Sequence, residues 1–383
     1  MAEVSVVSCV DYAEENIDKA LNEALSAIGG LDEIKAGMKV AVKVNLVSGA
    51  KPEKAVTTHP QMVISLTKML LEKGAEVIVG DSPGGLYTAA YVNGVYSVSG
   101  MKAVEKAGAS LNRDFSEKEA QFPEAEVLKD FKYTAWLDSA DVIINFAKLK
   151  THGMMGMSSA AKNMFGAIPG TVKPEYHFRF PDYDKFADMI VDIDEYFKPV
   201  LNIVDAVTGM EGNGPTMGAP RHIGCIIASK NPHKADMVCA EILGIEPEKL
   251  PILRSAKRRG LCQENISELD IYGSYKDFYI PDYENIAHSA SIVFERGKPG
   301  IVSNTMSAII RFAIKSKPVL KKNECVGCRV CENICPAKAI VMKKGKAHID
   351  RKECIACFCC QEFCPKGAMK SKRPFIARIL EKI

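Results

Sequence analysis

Nine of the thirteen cysteines in this chain of 383 residues lie between Cys325 and Cys364, and the other four, Cys9, Cys225, Cys239 and Cys262, are scattered. A disulfide framework would staple the whole length. Crowding at short fixed spacings instead points to metal. Residues 324–339, ECVGCRVCENICPAKA, overlie residues 353–368, ECIACFCCQEFCPKGA, at a constant offset of 29. Each half reads C-x2-C-x2-C-x3-C-P. In that run three thiolates hold one [4Fe–4S] cluster and the fourth crosses to the other. The spacing therefore assigns Cys325, Cys328, Cys331 and Cys364 to one cluster, and Cys354, Cys357, Cys360 and Cys335 to a second. Cys359 aligns with Val330 and is the spare, a small buried hydrophobe beside the metal. Structural zinc sites pair two C-x2-C knuckles, a different rhythm.

About fifty residues bury too little apolar surface to fold robustly without help, so the metal centres must supply stability. AIVMKKGKAHID, between the halves, has the Gly and the alternation of a short hairpin. Residues 318–370 resemble the bacterial two-cluster ferredoxins, and the resemblance implies single-electron transfer. The basic tail 371–383 carries Phe375, Ile376, Ile379 and Leu380 at helical spacing and is expected to pack back on the protein.

The first 317 residues read differently. VSVVSC (4–9), KVAVKVNLV (39–47), AEVIVGD (75–81), DVIINFAKLK (141–150), PVLNIVDAV (199–207) and RHIGCIIAS (221–229) are strand-like. Helical patterns at 14–27, 61–74 and 233–244 alternate with them. Near-continuous Val/Ile strands alternating with helices predict an α/β fold, a mostly parallel sheet with flanking helices. Residues 281–317 are less regular and read as a linking segment. Lys plus Arg total 50 against 47 Asp plus Glu. That balance gives no reason to expect nucleic acid. With no signal peptide pattern and no apolar run long enough to span a bilayer, a cytoplasmic location is expected.

Ligands of such sheets sit beyond the carboxyl ends of the strands. Lys43 and Asn45 end one strand, Asp81 and Ser82 another, Lys148, Lys150, Thr151 and His152 a third, and Asp205 a fourth. KLKTHGMMGMSSAAKNMFGAIPG (148–170) is the densest stretch. A helix start at Ser158 or Ser159, with Lys150 and Lys162 nearby, predicts an anion site on backbone N–H groups. Ser158 and Lys162 would share a helix face. GMEGNGPTMG (209–218) is no nucleotide fingerprint; it serves better as a second wall, with Glu211 as a candidate acid or base. His59 and His177 read as structural unless a pocket around His152 recruits them.

KVNL, VGDSPGG, DVIINFAKLKTHG, AAKNMFGAIPG, NIVDAVTGMEGNGP and HKADMVCAEILG, in that order before a two-cluster tail, resemble the family of domain of unknown function 362. The resemblance covers nearly the whole chain and implies an iron–sulfur protein of anaerobic redox metabolism without a defined reaction. A fainter similarity is to the lactate racemase family, in which a His, a Gly-rich loop and a Lys ten residues later help hold a nickel cofactor. His152 and Lys162 have that spacing, but Ala-Ala-Lys-Asn stands where the racemase loop has Gly-Gly-Arg-Lys. A pocket carries over; the nickel chemistry does not.

The expected site is a cavity with His152, Lys162 and Asp81 in catalytic roles and Lys43, Asn45, Lys150 and Ser158 binding an anionic ligand. His152 is the candidate proton donor. The leading function is a ferredoxin-linked oxidoreductase passing electrons to a small anionic substrate or to a second cofactor that the sequence does not define. The alternatives are an electron-transfer subunit that docks a redox partner protein, and a racemase-like isomerase with accessory clusters.

Overall fold

The computed structural model describes residues 1–285 and 317–372. The tail and most of the linking segment lie outside the described residues. Nine strands form the central sheet: β1 (Val4–Ser8), β2 (Lys39–Lys43), β3 (Glu76–Gly80), β4 (Ser110–Leu111), β7 (Val142–His152), β8 (Gly156–Ser158), β9 (Leu201–Glu211), β10 (Ala219–Ser229) and β11 (Ile271–Tyr272). A separate hairpin joins β5 (Glu117–Gln121) to β6 (Asp130–Thr134). The sheet order is β11-β1-β10-β9-β7-β2-β3-β4, with β8 folding back on β7. Strands β9, β7, β2, β3 and β4 run parallel, and β10 is antiparallel to both of its neighbours. The mostly parallel α/β sheet with flanking helices is what the alternating sequence pattern predicted.

Alternation along each strand sorts side chains between two faces. From β7, Ile144 and Phe146 join Val42 and Ile203 under the helices Glu14–Ile28 and Pro60–Glu72, whose Leu21, Leu25, Leu66 and Leu70 close that core. Ala147 and Leu149 face the opposite way, onto Val238 and Ile242 of the helix Pro232–Ile242. Helix starts follow local chemistry. Asp182 accepts from the N–H groups of Asp184 and Lys185, and Asn231 from those of His233 and Lys234, satisfying donors that the helix itself leaves open.

In the small domain β12 (Lys317–Leu320) pairs antiparallel with β15 (Met369–Lys372), and β13 (Ile340–Lys343) with β14 (Lys346–Ile349). The internal repeat is written into the backbone. Left-handed residues recur at the same offset of 29: Gly327 and Ala356, Arg329 and Phe358, Lys338 and Gly367. A one-turn helix follows Arg329 and another follows Phe358 (Val330–Asn333 and Cys359–Glu362). The second half docks on the α/β part. Ala356 and Phe358 belong to one apolar cluster with Met154, Phe165 and Phe186. Gln361 Nε2 donates to Asn213 Oδ1 at 2.6 Å, and Thr216 Oγ1 to the Glu362 carbonyl at 3.0 Å. A side chain at Gly84 would overlap the Phe363 ring, so glycine there permits the close approach.

Candidate functional site

Cys325, Cys328, Cys331 and Cys364 line one cavity of the small domain. Cys335, Cys354, Cys357 and Cys360 line a second. Each quartet takes three cysteines from one half of the repeat and the fourth from the other. Among the described residues no three His, Cys, Asp or Glu side chains gather closely enough for a single metal ion. Four thiols spread around a cavity suit the larger body of an iron–sulfur cubane, so the donor set fits that group. In both halves a backbone N–H donates to the crossing sulfur, Ala339 to Cys335 Sγ and Ala368 to Cys364 Sγ, each at 3.2 Å. Such bonds raise the reduction potential of a sulfur-ligated centre.

A cavity opens at the carboxyl edge of the sheet. Asn45, Asp81, His152, Ser158 and Lys162 line it, joined by Ser82, Asn163, Lys173 and His177. Its far wall comes from the small domain: Cys359, Glu362 and Phe363. Cys359, 1% exposed, lines this cavity and the second cysteine cavity as well.

Several expected residues take other places. Lys43 lies behind the wall, its Nζ donating to Asp81 Oδ1 at 2.7 Å and to the Val44 carbonyl at 2.9 Å. Asp81 Oδ2 accepts from the Leu46 N–H at 2.8 Å, so this carboxylate is an internal counter-ion, not an idle acid. Lys150 does not line the cavity. It is fully buried, and its Nζ donates to Asn45 Oδ1 and to the Val56 carbonyl, both at 2.6 Å. Burial holds it down to about 7. The predicted anion site on backbone N–H groups is already filled. Asp236 accepts from Ala160 and Ala161 at 2.8 and 3.3 Å, capping the short helix Ala160–Asn163 from within. Ser158 sits on β8, not on that helix, although it reaches the same cavity as Lys162. The fourth strand exit also departs, because Asp205 is engaged by Lys148, Tyr12 and the His59 N–H. Glu211 is drawn to Arg221 and the Glu284 N–H, while Pro215 of the same loop does line the cavity.

Burial sets the electrostatics of what remains. Lys162 forms no hydrogen bond or ion pair among the described residues; its Nζ stands 4.5 Å from the centre of the Phe165 ring. Burial lowers it to about 8, with Glu362 opposing. Lys173 donates to the Ser82 carbonyl and is lowered by burial to about 7. His177 stacks on Phe186 with centroids 4.5 Å apart, and its buried Nδ1 has no hydrogen-bond partner among the described residues. Burial first, then Lys162 and Lys173, holds its ring down to about 3, so it is neutral. His152 Nδ1 accepts from the N–H groups of Met154 and Met155, both at 3.1 Å, which leaves the ring proton on Nε2. A doubly protonated ring would set its own Nδ1–H against those two donors. His152 therefore carries its N–H at Nε2.

Under the cavity the amides run head to tail. Asn45 Nδ2 donates to Asn163 Oδ1 at 2.8 Å, Asn163 Nδ2 to Asn145 Oδ1 at 2.7 Å, and Asn145 Nδ2 to Asn202 Oδ1 at 2.8 Å. Asn202 Nδ2 reaches the Ser229 carbonyl at 3.5 Å. Sequence reading passed over Asn163, Lys173 and Glu362, and placed His177 in the pocket only if one around His152 recruited it, as this cavity does. The four-residue spacing of Lys173 and His177 was a usable signal, since it puts both on one face of the helix Lys173–Arg179. Glu362 and Phe363 reach the cavity through domain docking, which leaves no local signature.

Comparison with known proteins fits this architecture. The thylakoid-associated protein sll1697 of Synechocystis sp. is 29% identical over 265 residues, covering 67% of this chain and 79% of that protein. Structural similarity is weak. The lactate racemase apoprotein from Thermoanaerobacterium thermosaccharolyticum gives a TM-score of 0.37 at 11% identity, over 62% of this chain and 57% of that one. A protein from Thermotoga maritima gives 0.34 at 17%, over 55% and 53%. Residues 324–368 match the 4Fe-4S dicluster domain, which makes the C-terminal part an iron–sulfur domain. Residues 40–241 match the domain of unknown function model (DUF362), and the chain belongs to that family.

Proposed function

We propose that the protein is an iron–sulfur oxidoreductase in which two [4Fe–4S] clusters deliver electrons to a small anionic substrate, or to a second cofactor, in the cavity between the domains. The observation that carries this reading is the position of Cys359, one side chain shared by the walls of a cysteine quartet and of the pocket. Cys325, Cys328, Cys331 and Cys364 would hold one cluster, and Cys335, Cys354, Cys357 and Cys360 the other. The clusters supply single electrons when bound.

The pocket residues supply the rest. Lys43 and Asp81 neutralise each other, which leaves Lys162 and Lys173 against Glu362. A carboxylate or phosphate oxygen would meet the ammonium of Lys162, with His152 lining the same cavity. A substrate that gains two electrons also gains two protons. Lysines held at about 8 and about 7 can give them near neutral pH. The packed wall of Cys359 and Phe363 excludes water between metal and substrate.

The test is EPR of reduced, iron-loaded protein titrated with inorganic phosphate and with acetate as anion probes. One cluster signal should respond, and Lys162→Met should abolish the response. If neither signal moves, or both move equally, the pocket is not coupled to one cluster. A subunit that only docks a partner enzyme would then be the better reading.

A further inference from the structure

The small domain has a charge that the rest of the chain lacks. From Lys317 to Lys372 there are thirteen lysines and arginines against five acidic residues, in a chain that totals 50 against 47. Two thiolate-ligated clusters would offset only part of that excess. The two cysteine quartets also face different ways. The one containing Cys335 and Cys360 is turned inward, walled by buried Phe358 and Cys359. The other opens beside exposed Cys328, with Val326 60% and Val330 36% exposed on its rim. Arg329 and Lys366 line that rim. The turn bearing Lys343 and Lys344 folds over it, since Gly345 packs on Gly327 and Lys346 donates to the Cys325 carbonyl.

We infer that this face docks a small acidic electron-carrier protein. Val326 and Val330 form the apolar contact, and Arg329, Lys343, Lys344 and Lys366 form the charged rim. The inference rests on the proposed reading that the clusters feed the pocket, and it adds where electrons enter. The reduced carrier loses one electron and the outer centre gains it; no bond forms or breaks. An anionic lipid surface would suit the charge but has no electron to give to a thiol-lined cavity. Charge opposition is the usual means by which such short-lived encounters are steered.

Flavodoxin, an acidic one-electron carrier, serves as the probe. Full-length iron-loaded protein is titrated with oxidised flavodoxin at low and high salt, beside a Lys343→Glu/Lys366→Glu variant of equal iron content. The wild-type Kd should weaken steeply with salt. The variant should bind about 10- to 100-fold more weakly at low salt and converge with wild type at high salt. Reduction by flavodoxin hydroquinone should slow by the same factor, while photoreduction by a neutral deazaflavin stays unchanged. Val326→Ser should weaken binding without altering its salt dependence. Equal affinity in the double variant, or binding indifferent to salt, overturns the proposal. So does a variant that loses binding to phosphatidylglycerol vesicles but keeps flavodoxin, because that assigns the face to lipid. If docking follows charge while the EPR signals ignore pocket anions, the docking face stands and the pocket reading fails.

Discussion

Lys162→Met should make the ligand-free protein more stable. Lys162 is 8% exposed and has no hydrogen-bond or ion-pair partner among the described residues. Burial holds it at about 8, where a free lysine titrates at 10.5. Forcing a proton onto such a group at pH 7 costs about 3 kcal/mol relative to the unfolded chain. Methionine fills the same slot against Phe165 and forfeits a cation–π contact of about 1 kcal/mol. The net gain is about 2 kcal/mol, or roughly 2–3 °C in Tm for a chain of this size. The sign follows from linkage. The folded pKa is depressed, so the penalty is constant below pH 8 and fades as pH rises toward 10.5, where neither state keeps the proton. The variant's advantage should therefore be full at pH 7 and small at pH 10. Anaerobic thermal unfolding at matched iron content, followed by circular dichroism, measures it. Phosphate should narrow the gap by stabilising only wild type. A variant less stable at pH 7, or an advantage that does not shrink between pH 8 and pH 10, would refute the reasoning.

Iron analysis of anaerobic protein should give about eight atoms per chain; Cys359→Ala should keep them all and Cys360→Ala should lose about half, and iron halved by Cys359→Ala would put the ligand register in error. Gly166→Ala places a methyl group on the buried Lys43–Asp81 pair, so a loss of about 3–5 kcal/mol is expected in denaturant titration. Gly94→Ala, in open space within the helix Ala89–Val98, should instead stabilise by about 0.5–1 kcal/mol. Phe358→Ala removes a side chain only 3% exposed from a cluster shared by both domains, and should weaken docking by about 3 kcal/mol. Faster proteolysis between the domains would report it, and unchanged cleavage would mean that the shared cluster contributes little. A chain ending at residue 317 should stay folded on its Val/Ile core, with reduced solubility where Phe358 had packed; insolubility under all conditions would show one inseparable core.

Elements with strong periodicity were legible because local preference and tertiary need agree in them. The β2, β3, β7, β9 and β10 strands and the helices Glu14–Ile28, Pro60–Glu72 and Pro232–Ile242 fall where alternating apolar patterns put them. The cysteine quartets were legible because their spacing is the chemistry. The pocket was legible only in part. Strand exits located Asn45, Asp81 and His152, but which way a buried lysine turns depends on partners far along the chain. Lys150 meets Asn45 across 105 residues, and the N–H groups of Ala160 meet Asp236 across 76. No local pattern reports such pairings. Cys359 was recognised as the spare thiol, yet its place between two cavities follows from domain docking.

The asparagine chain beneath the pocket has a grammar. Each amide gives with its nitrogen and receives with its oxygen, from Asn45 through Asn163 and Asn145 to Asn202. The first oxygen accepts from Lys150 Nζ, whose other contact, the Val56 carbonyl, also needs a donor. That one donor sets the orientation of four side chains on two strands, a short helix and the loop after β2, as the first tile of a row fixes the rest. No member can turn over alone, and an aspartate at any interior place would set oxygen against oxygen. The floor of the cavity is therefore polar and yet rigid: it can present the ligand with one pattern of donors and acceptors, and it has no second pattern to offer.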